Sequence, residues 1–298
     1  MRILLDVLPV ALRAMMPITL AAVGEILAEQ AGVVNIGLEG IMTISAFLAG
    51  LGSWATGSPW LGLLAGLGCG ALIGLLHGFI AVKLRGNQIV SGVGINLLGM
   101  GAVGFGAWVL WGAKAPMLDQ RFWIPSFSVS GVSLSPFLLL TPALVALTWA
   151  ILFRTALGLR LRAVGENPMA ADVVGVKVEG LRIFAAVYGG ALAGLAGAFL
   201  SLDWLHTISP TLPAGRGFIA LANVVFSKLN PFLALLGGFL FGYFDALAIQ
   251  LASVAGFGGA VPYQFMRMIP YLATLAVVSL AIGRARFPAA LGQPYRRE

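Results

Sequence analysis

Charge is what this chain has least of. Its 298 residues include 18 Lys or Arg and 11 Asp or Glu, against 59% hydrophobic residues. With a mean hydropathy of +0.97, that scarcity excludes a soluble domain and indicates an integral membrane protein. The single cysteine, Cys69, excludes an internal disulfide and a Cys-based metal site; in its apolar run it reads as core packing. His77 and His206 are too few and too far apart for a His-based metal cluster, and no HExxH occurs. There is no GxxxxGK[ST] to cradle ATP and no GxSxG to present a nucleophile. The expectation is therefore a chain with no catalytic residue, metal or cofactor of its own. A net charge of +7 would suggest nucleic acid in a soluble protein. In this one it reads as Lys and Arg held beside membrane lipid, with no nucleic-acid partner.

Long apolar runs are what the chain does have. A bilayer is crossed by about 20 apolar residues in a helix. That length predicts spans at Ile3–Gly24, Ile36–Thr56, Trp60–Val82, Ile89–Trp111, Leu134–Phe153, Ile183–Leu205, Pro231–Ser253 and Met266–Gly283. A further segment, Phe218–Ser227, is apolar but too short to cross alone as a regular helix. The first run continues past any cleavage site into more membrane segment, so it reads as mature chain rather than a signal peptide.

Between the fifth and sixth long spans lies Arg154–Arg182, RTALGLRLRAVGENPMAADVVGVKVEGLR, the densest cluster of charge in the sequence. It cannot lie in hydrocarbon, and Arg154, Arg160, Arg162, Lys177 and Arg182 place it on the cytoplasmic side. Lys83 with Arg85, and the tail residues Arg284, Arg286, Arg296 and Arg297, are assigned to the same side. Nine crossings, with Phe218–Ser227 crossing between irregular flanks, satisfy all three anchors and give an N-out, C-in topology. The expected fold is an all-α, polytopic transmembrane bundle forming one membrane domain over residues 1–298. Residues 154–182 are its cytoplasmic loop. Such a loop, in a chain without its own ATP site, is a surface on which a second protein can push.

Gly62, Gly66, Gly70, Gly74 and Gly78 recur every fourth residue, and Gly190–Gly194 and Gly238–Gly242 repeat the spacing. These small faces predict close helix packing and say nothing of substrate. Lys114–Ser133 is polar and aromatic, an outer loop that suits docking or simple connection.

Polar residues at membrane depth are the candidates for a solute path. Glu25–Gly40, EILAEQAGVVNIGLEG, is the densest such stretch near the N-terminus. Glu25 and Glu29 read foremost as loop residues; Asn35 and Glu39 fit a loop or a path equally. Gly32 and Gly37 allow the chain to bend there, which lipid permits only under cover of protein. Gln88 and Ser91 open the fourth span near one face, with Asn96 about a turn further on. They can bind a polar solute or hold helices together, and the second reading comes first. Asp203, His206 and Arg216 surround the outer end of the sixth span and are expected to be solvated. Asp245, mid-span in GYFDALAIQ, must face a partner or a wet interior.

Several of these stretches resemble a known family. EQAGVVNIGLEGIMTISAFLAG (Glu29–Gly50) looks like the N-terminal signature of inner-membrane ABC-transporter permeases of the branched-chain amino acid, simple-sugar and nucleoside group. Within that group, NIGLEG (Asn35–Gly40) most resembles the nucleoside-uptake branch. RTALGLRLRAVGENPMAADVVGV (Arg154–Val176) is similar to the family's coupling stretch. YGGALAGLAGAFLSL (Tyr188–Leu202) and GFIALANVVFSKLNPFLALLGGFLFG (Gly217–Gly242) resemble the segments that follow it. The resemblance implies a bacterial inner-membrane importer subunit. Its implied partners are a cytoplasmic ABC ATPase that binds ATP and Mg, a second similar permease in a heterodimer, and an extracytoplasmic solute-binding protein. It also implies that Glu166, Asn167, Pro168, Ala170, Ala171 and Gly175, flanked by Arg160 and Arg162, form the short helix that sits in the ATPase. Asn167 as a cap with Pro168 at the first helical position independently starts a helix there. One departure stands out: SKLN (Ser227–Asn230) replaces a turn where relatives often carry paired glycines. Nucleoside uptake by alternating access is the function implied, with a simple sugar or nucleobase as the alternative solute. An ion-coupled carrier is the rival from another class, and would use Glu39 and Asp245 as coupling groups.

Overall fold

A computed structural model describes residues 7–113, 115–129, 132–253 and 286–296, together with the isolated residues 268, 272, 275, 276 and 279. In chain order its helices are α1 (Leu8–Gln30), α2 (Leu38–Thr56), α3 (Pro59–Gly78), α4 (Gln88–Trp111), α5 (Phe137–Arg154), α6 (Ala156–Glu166), α7 (Pro168–Val173), α8 (Val178–Phe199), α9 (Arg216–Phe226) and α10 (Pro231–Ser253). One π-helical turn extends α3 through Phe79–Lys83, and another extends α8 through Leu200–Trp204. Between α4 and α5, strands β1 (Phe127–Val129) and β2 (Val132–Leu134) form a small antiparallel ribbon, Phe127 opposite Leu134. Seven helices among the described residues, α1–α5, α8 and α10, are long and apolar enough to cross a membrane. The expected span Met266–Gly283, with Arg284 and Arg297, falls almost wholly outside the described residues.

Helix ends follow local chemistry. Asn87 caps α4, its Oδ1 accepting the Ile89 and Val90 amides at 2.9 and 3.1 Å. Pro59 starts α3, while Gly57 and Gly112 end α2 and α4 in the left-handed conformation. The core is built on α1, which packs against α5, α8, α9 and α10; α8 in turn packs on α2 and α3. α4 lies at the periphery and presents Leu97, Leu98, Phe105 and Trp108 outward.

The glycine stripe does what its spacing predicted. A Cβ on Gly70 would fall on the carbonyl oxygen of Gly190, and one on Gly190 would fall on that of Gly70. The backbones of α3 and α8 therefore touch, and the Gly190–Gly194 pair faces the stripe directly. Gly238 and Gly242 of α10 press in the same way against Met15 and Thr19 of α1.

One boundary differs from expectation, and the short apolar segment is as short as its sequence indicates. α1 runs on to Gln30, so Glu25 and Glu29 are helical and buried rather than loop residues. The short apolar segment is α9, eleven residues or about 16 Å, preceded by irregular chain over residues 205–215. That covers about half the hydrocarbon thickness.

The SKLN turn between α9 and α10 keeps a glycine-like backbone without glycine. Lys228 has φ of 52° and Leu229 has φ of 60°, the left-handed region that costs other residues about 1–2 kcal/mol. Lys228 is exposed and loses little on truncation. Lys228→Gly should therefore stabilise the protein by about 0.5–1 kcal/mol, allowing for the backbone entropy glycine gives up. Leu229→Gly should destabilise, because Leu229 is buried and forfeits about 1.5–3 kcal/mol of burial. Thermal unfolding of the two purified variants in detergent checks the opposite signs.

Candidate functional site

The first centre is the chain between α1 and α2, residues 31–37, which leaves helical structure inside the bundle. An unwound segment there must have its backbone polar groups satisfied by protein. Side chains from three helices supply this. The Gln88 Oε1 accepts the Val34 amide at 2.7 Å, and the His77 Nε2 contacts the Val34 carbonyl at 2.9 Å. Glu25 Oε1 accepts the Asn35 amide at 2.6 Å, and Asn35 Oδ1 accepts the Gly37 amide at 2.8 Å. Asn96 makes two bonds, Nδ2 donating to the Ile36 carbonyl at 3.0 Å and Oδ1 accepting the Gly40 amide at 2.7 Å. Ser91 Oγ lies 3.0 Å from His77 Nδ1 and orients that ring.

Depth follows from α4. Asn96 is eight residues beyond Gln88, about 12 Å along the helix axis. The start of α2, tied to Asn96, thus lies about two turns into a helix long and apolar enough to cross a membrane, rather than at its end. A second interrupted helix meets it there. Glu39, in the first turn of α2, accepts the Gly215 amide on Oε1 and the Gly217 amide on Oε2, each at 2.7 Å. These donors belong to the N-terminus of α9, where a carboxylate is favoured by the orphan amides and the helix dipole.

Arg216, the first residue of α9, is a cation at that same positive end. It is buried and forms an ion pair with Asp245 of α10, its Nε at 3.1 Å and Nη2 at 2.7 Å from Oδ2. Its guanidinium also donates to the Pro213 carbonyl and lies 4.6 Å from the centre of the Trp204 ring. Expectation put Arg216 in solvent; the pairing with Asp245 explains both residues. Asp203 is likewise buried, accepting from Ser135 Oγ at 2.8 Å, and His206 stacks on Trp123 with centroids 3.7 Å apart. The loop before the ribbon closes over this end, with Leu118 and Ile124 amides bonded to the His206 and Leu202 carbonyls.

At the opposite end lie α6 and α7. Thr155 caps α6, accepting the Gly158 amide, and Asn167 caps α7, accepting the Ala170 amide at 3.0 Å with Pro168 at the first helical position. Gly175, with φ of 84°, turns the chain toward α8. Ala171 is buried against Val164 and Val178, which seats the helix on the bundle. The outward side carries Met169, Ala170, Val173 and Val174, all exposed, with Glu166 and Asn167 beside them. Arg160 is exposed, while Arg162 packs over Phe153. Lys83, ending α3, pairs with Glu179 at the start of α8.

So the structure gathers Asn35, Gln88, Ser91 and Asn96 in one network and Glu39 with Asp245 around the start of α9. The positions from Arg160 to Gly175 form a separate surface. His77, Arg182 and the pairing role of Arg216 were not singled out by sequence reasoning. A histidine inside an apolar run was the available signal for the first.

An apolar bundle with two interrupted helices meeting at depth, above a short exposed helix at one face, defines a membrane-spanning transport protein. Residues 9–278 match the family of branched-chain amino acid transport system permease components, and the chain belongs to that family. It is 38% identical to the guanosine ABC transporter permease protein NupQ of Bacillus subtilis, over 99% of this chain and 97% of that one. Identity to the nucleoside ABC transporter permease protein NupC of Lactococcus lactis is 36%, over 94% and 93%. The putative glucose ABC transporter permease protein TsgC13 of Haloferax volcanii is 35% identical over 94% of each. No solved structure matches the chain.

Proposed function

We propose that this permease moves nucleosides into bacterial cells across the inner membrane by alternating access. The carrying observation is full-length similarity to permeases named for guanosine and nucleosides, in a chain whose interrupted helices meet at depth. In this reading α7 seats in a cytoplasmic ABC ATPase that binds ATP and Mg. A second, similar permease completes a heterodimer, and an extracytoplasmic binding protein delivers the solute. Glu166, Asn167, Pro168, Ala170, Ala171 and Gly175 make the coupling contact, with Arg160 and Arg162 flanking it.

The path runs beside the meeting point of α2 and α9. Asn35, Gln88, Ser91 and Asn96 hold the unwound segment in shape along that path, and Glu39 and Asp245 hold the start of α9. Their polar atoms are largely committed to protein, so solute contacts come from what they position. Nucleosides carry no fixed charge at neutral pH, and a path whose carboxylates are already occupied suits a neutral polar solute. The putative glucose relative makes a sugar the alternative.

Uptake of labelled guanosine, adenosine and cytidine, by cells with and without the gene, tests both readings. Saturable uptake should be lost with the gene and competed by nucleosides but not by ribose. Loss of a sugar flux with nucleoside uptake intact would instead establish the alternative. In the same cells, Glu166→Ala or Gly175→Ala should abolish uptake while the chain still inserts; wild-type uptake by either would overturn the coupling assignment.

A further inference from the structure

We infer that the C-terminal tail, residues 286–296, is a strap that transmits movement of α7 to the unwound segment between α1 and α2. Arg182 is the positioning residue that holds it. The inference rests on the coupling role proposed for α7.

The tail touches each part that such a link must join. At its outer end the Tyr295 hydroxyl donates to Asp172 Oδ2 of α7 at 2.8 Å. The Ala290 amide donates to the Gly165 carbonyl, the last turn of α6, at 3.0 Å, and the Ala289 amide reaches Glu166 Oε2 at 3.4 Å. The Gly292 amide donates to the Gly32 carbonyl at 3.1 Å. Gly32 lies two residues before Val34, where side chains from α3 and α4 begin to pin the unwound segment. From α7 to that segment the connection therefore passes through Tyr295, Gly292 and Gly32.

Arg182 is what gives this segment a fixed shape. It stands one turn into α8, is 2% exposed, and donates from Nη1 to the Gln293 carbonyl at 2.8 Å and from Nη2 to the Ala290 carbonyl at 3.4 Å. Among the described residues no carboxylate pairs with it. A buried cation is costly, and here its described hydrogen bonds all go to main-chain carbonyls of the tail. The planar guanidinium can hold two carbonyls three residues apart, as a point charge cannot. Gly32 fits beneath this group because it lacks a side chain: at φ of 88°, a Cβ there would lie 2.8 Å from Arg182 Nη2.

The strap also has room to move. Cavities of about 550 and 380 Å³ both border Tyr295, one including Lys83 and Glu179 and the other Glu166 and Met169. A displaced α7 would draw the tail through one of them and pull on Gly32, and so on the start of α2.

The test uses the assembled transporter with its ATPase, in proteoliposomes, comparing Arg182→Met and Arg182→Lys with wild type. Arg182→Met keeps an apolar stem of similar reach but no donor. It should assemble and hydrolyse ATP within about twofold of wild type, while maximal guanosine uptake falls about tenfold at unchanged KM. Arg182→Lys should recover part of that loss. Wild-type uptake by Arg182→Met overturns the proposal, and so does failure to assemble, which would make Arg182 a folding residue. Hydrogen exchange needs no solute and separates the strap from the uptake reading. In Arg182→Met, exchange should rise together in residues 168–173 and 33–37; a rise at one end alone overturns the link even if no nucleoside is moved.

Discussion

Replacing Asp245 by Ala should cost about 3–5 kcal/mol and leave little folded protein in the membrane, because it strands Arg216. The side chains of Arg216 and Asp245 are 8% and 17% exposed, so water cannot take the place of the lost partner. A cation at the positive end of α9 is unfavourable in itself, and Asp245 is what offsets it. The Pro213 carbonyl and the Trp204 ring remain after the substitution, which places the cost toward the lower part of that range. The double variant Arg216→Met with Asp245→Leu removes both charges and should regain most of the lost stability. Thermal unfolding of wild type, Asp245→Ala and the double variant in one detergent gives the comparison. Equal midpoints for wild type and Asp245→Ala would show that the pair is not what holds α9 to α10. The same series bears on the ion-coupled rival. A coupling carboxylate must be available to an ion, whereas Asp245 is held by a fixed cation, so uptake by wild type should not depend on a sodium or proton gradient.

Much of this architecture is legible from residue order, for physical reasons. Apolar length finds the membrane helices because lipid leaves the backbone no alternative, and the fourfold glycine spacing finds the α3–α8 contact because only small residues admit it. Asn167 followed by Pro168 marks the start of α7 by capping chemistry alone. What escapes is whatever depends on how the chain returns through the bundle. Glu25 and Glu29 resemble loop residues until α1 is seen to run on beneath them. The Oε1 of Glu25 then serves an amide ten residues away. Arg216 follows an irregular segment that turns back into the membrane, so hydropathy places it at the surface while the fold places it beside Asp245. By sequence Gln88, Ser91 and Asn96 suit helix gluing ahead of solute binding, and in the fold each is bonded to the unwound segment or to the histidine that holds it. By its arginines the tail reads only as a cytoplasmic anchor, because Gly32, Gly165 and Arg182, to which it is bonded, lie far from it in sequence.

Glu39→Ala should reduce uptake at least tenfold per unit of permease in the membrane, since it cuts the one described carboxylate bridge between α2 and the start of α9. Two amides, those of Gly215 and Gly217, would lose their acceptor in a site closed to lipid. Each such bond to a charged group is worth about 1.5–3 kcal/mol, which is enough to let the start of α9 drift from its position. Glu39→Gln keeps one carbonyl acceptor and turns its amide group toward the other donor, so an intermediate loss is expected. A second route breaks the same contact without touching the carboxylate. At Gly217 an added Cβ would lie 2.5 Å from the Glu39 nitrogen and 2.7 Å from its Cα, both backbone atoms that cannot yield. Gly217→Ala should therefore push α9 away from α2 and reproduce the Glu39→Ala defect with Glu39 in place. Measuring initial uptake rates and membrane content for all three variants separates the causes. Agreement between Glu39→Ala and Gly217→Ala would make the α2–α9 contact itself the requirement for transport. A defect in Glu39→Ala with normal uptake in Gly217→Ala would move the role to the carboxylate's charge. Wild-type uptake in both would remove the contact from the mechanism, because the start of α9 would then be free to move without consequence.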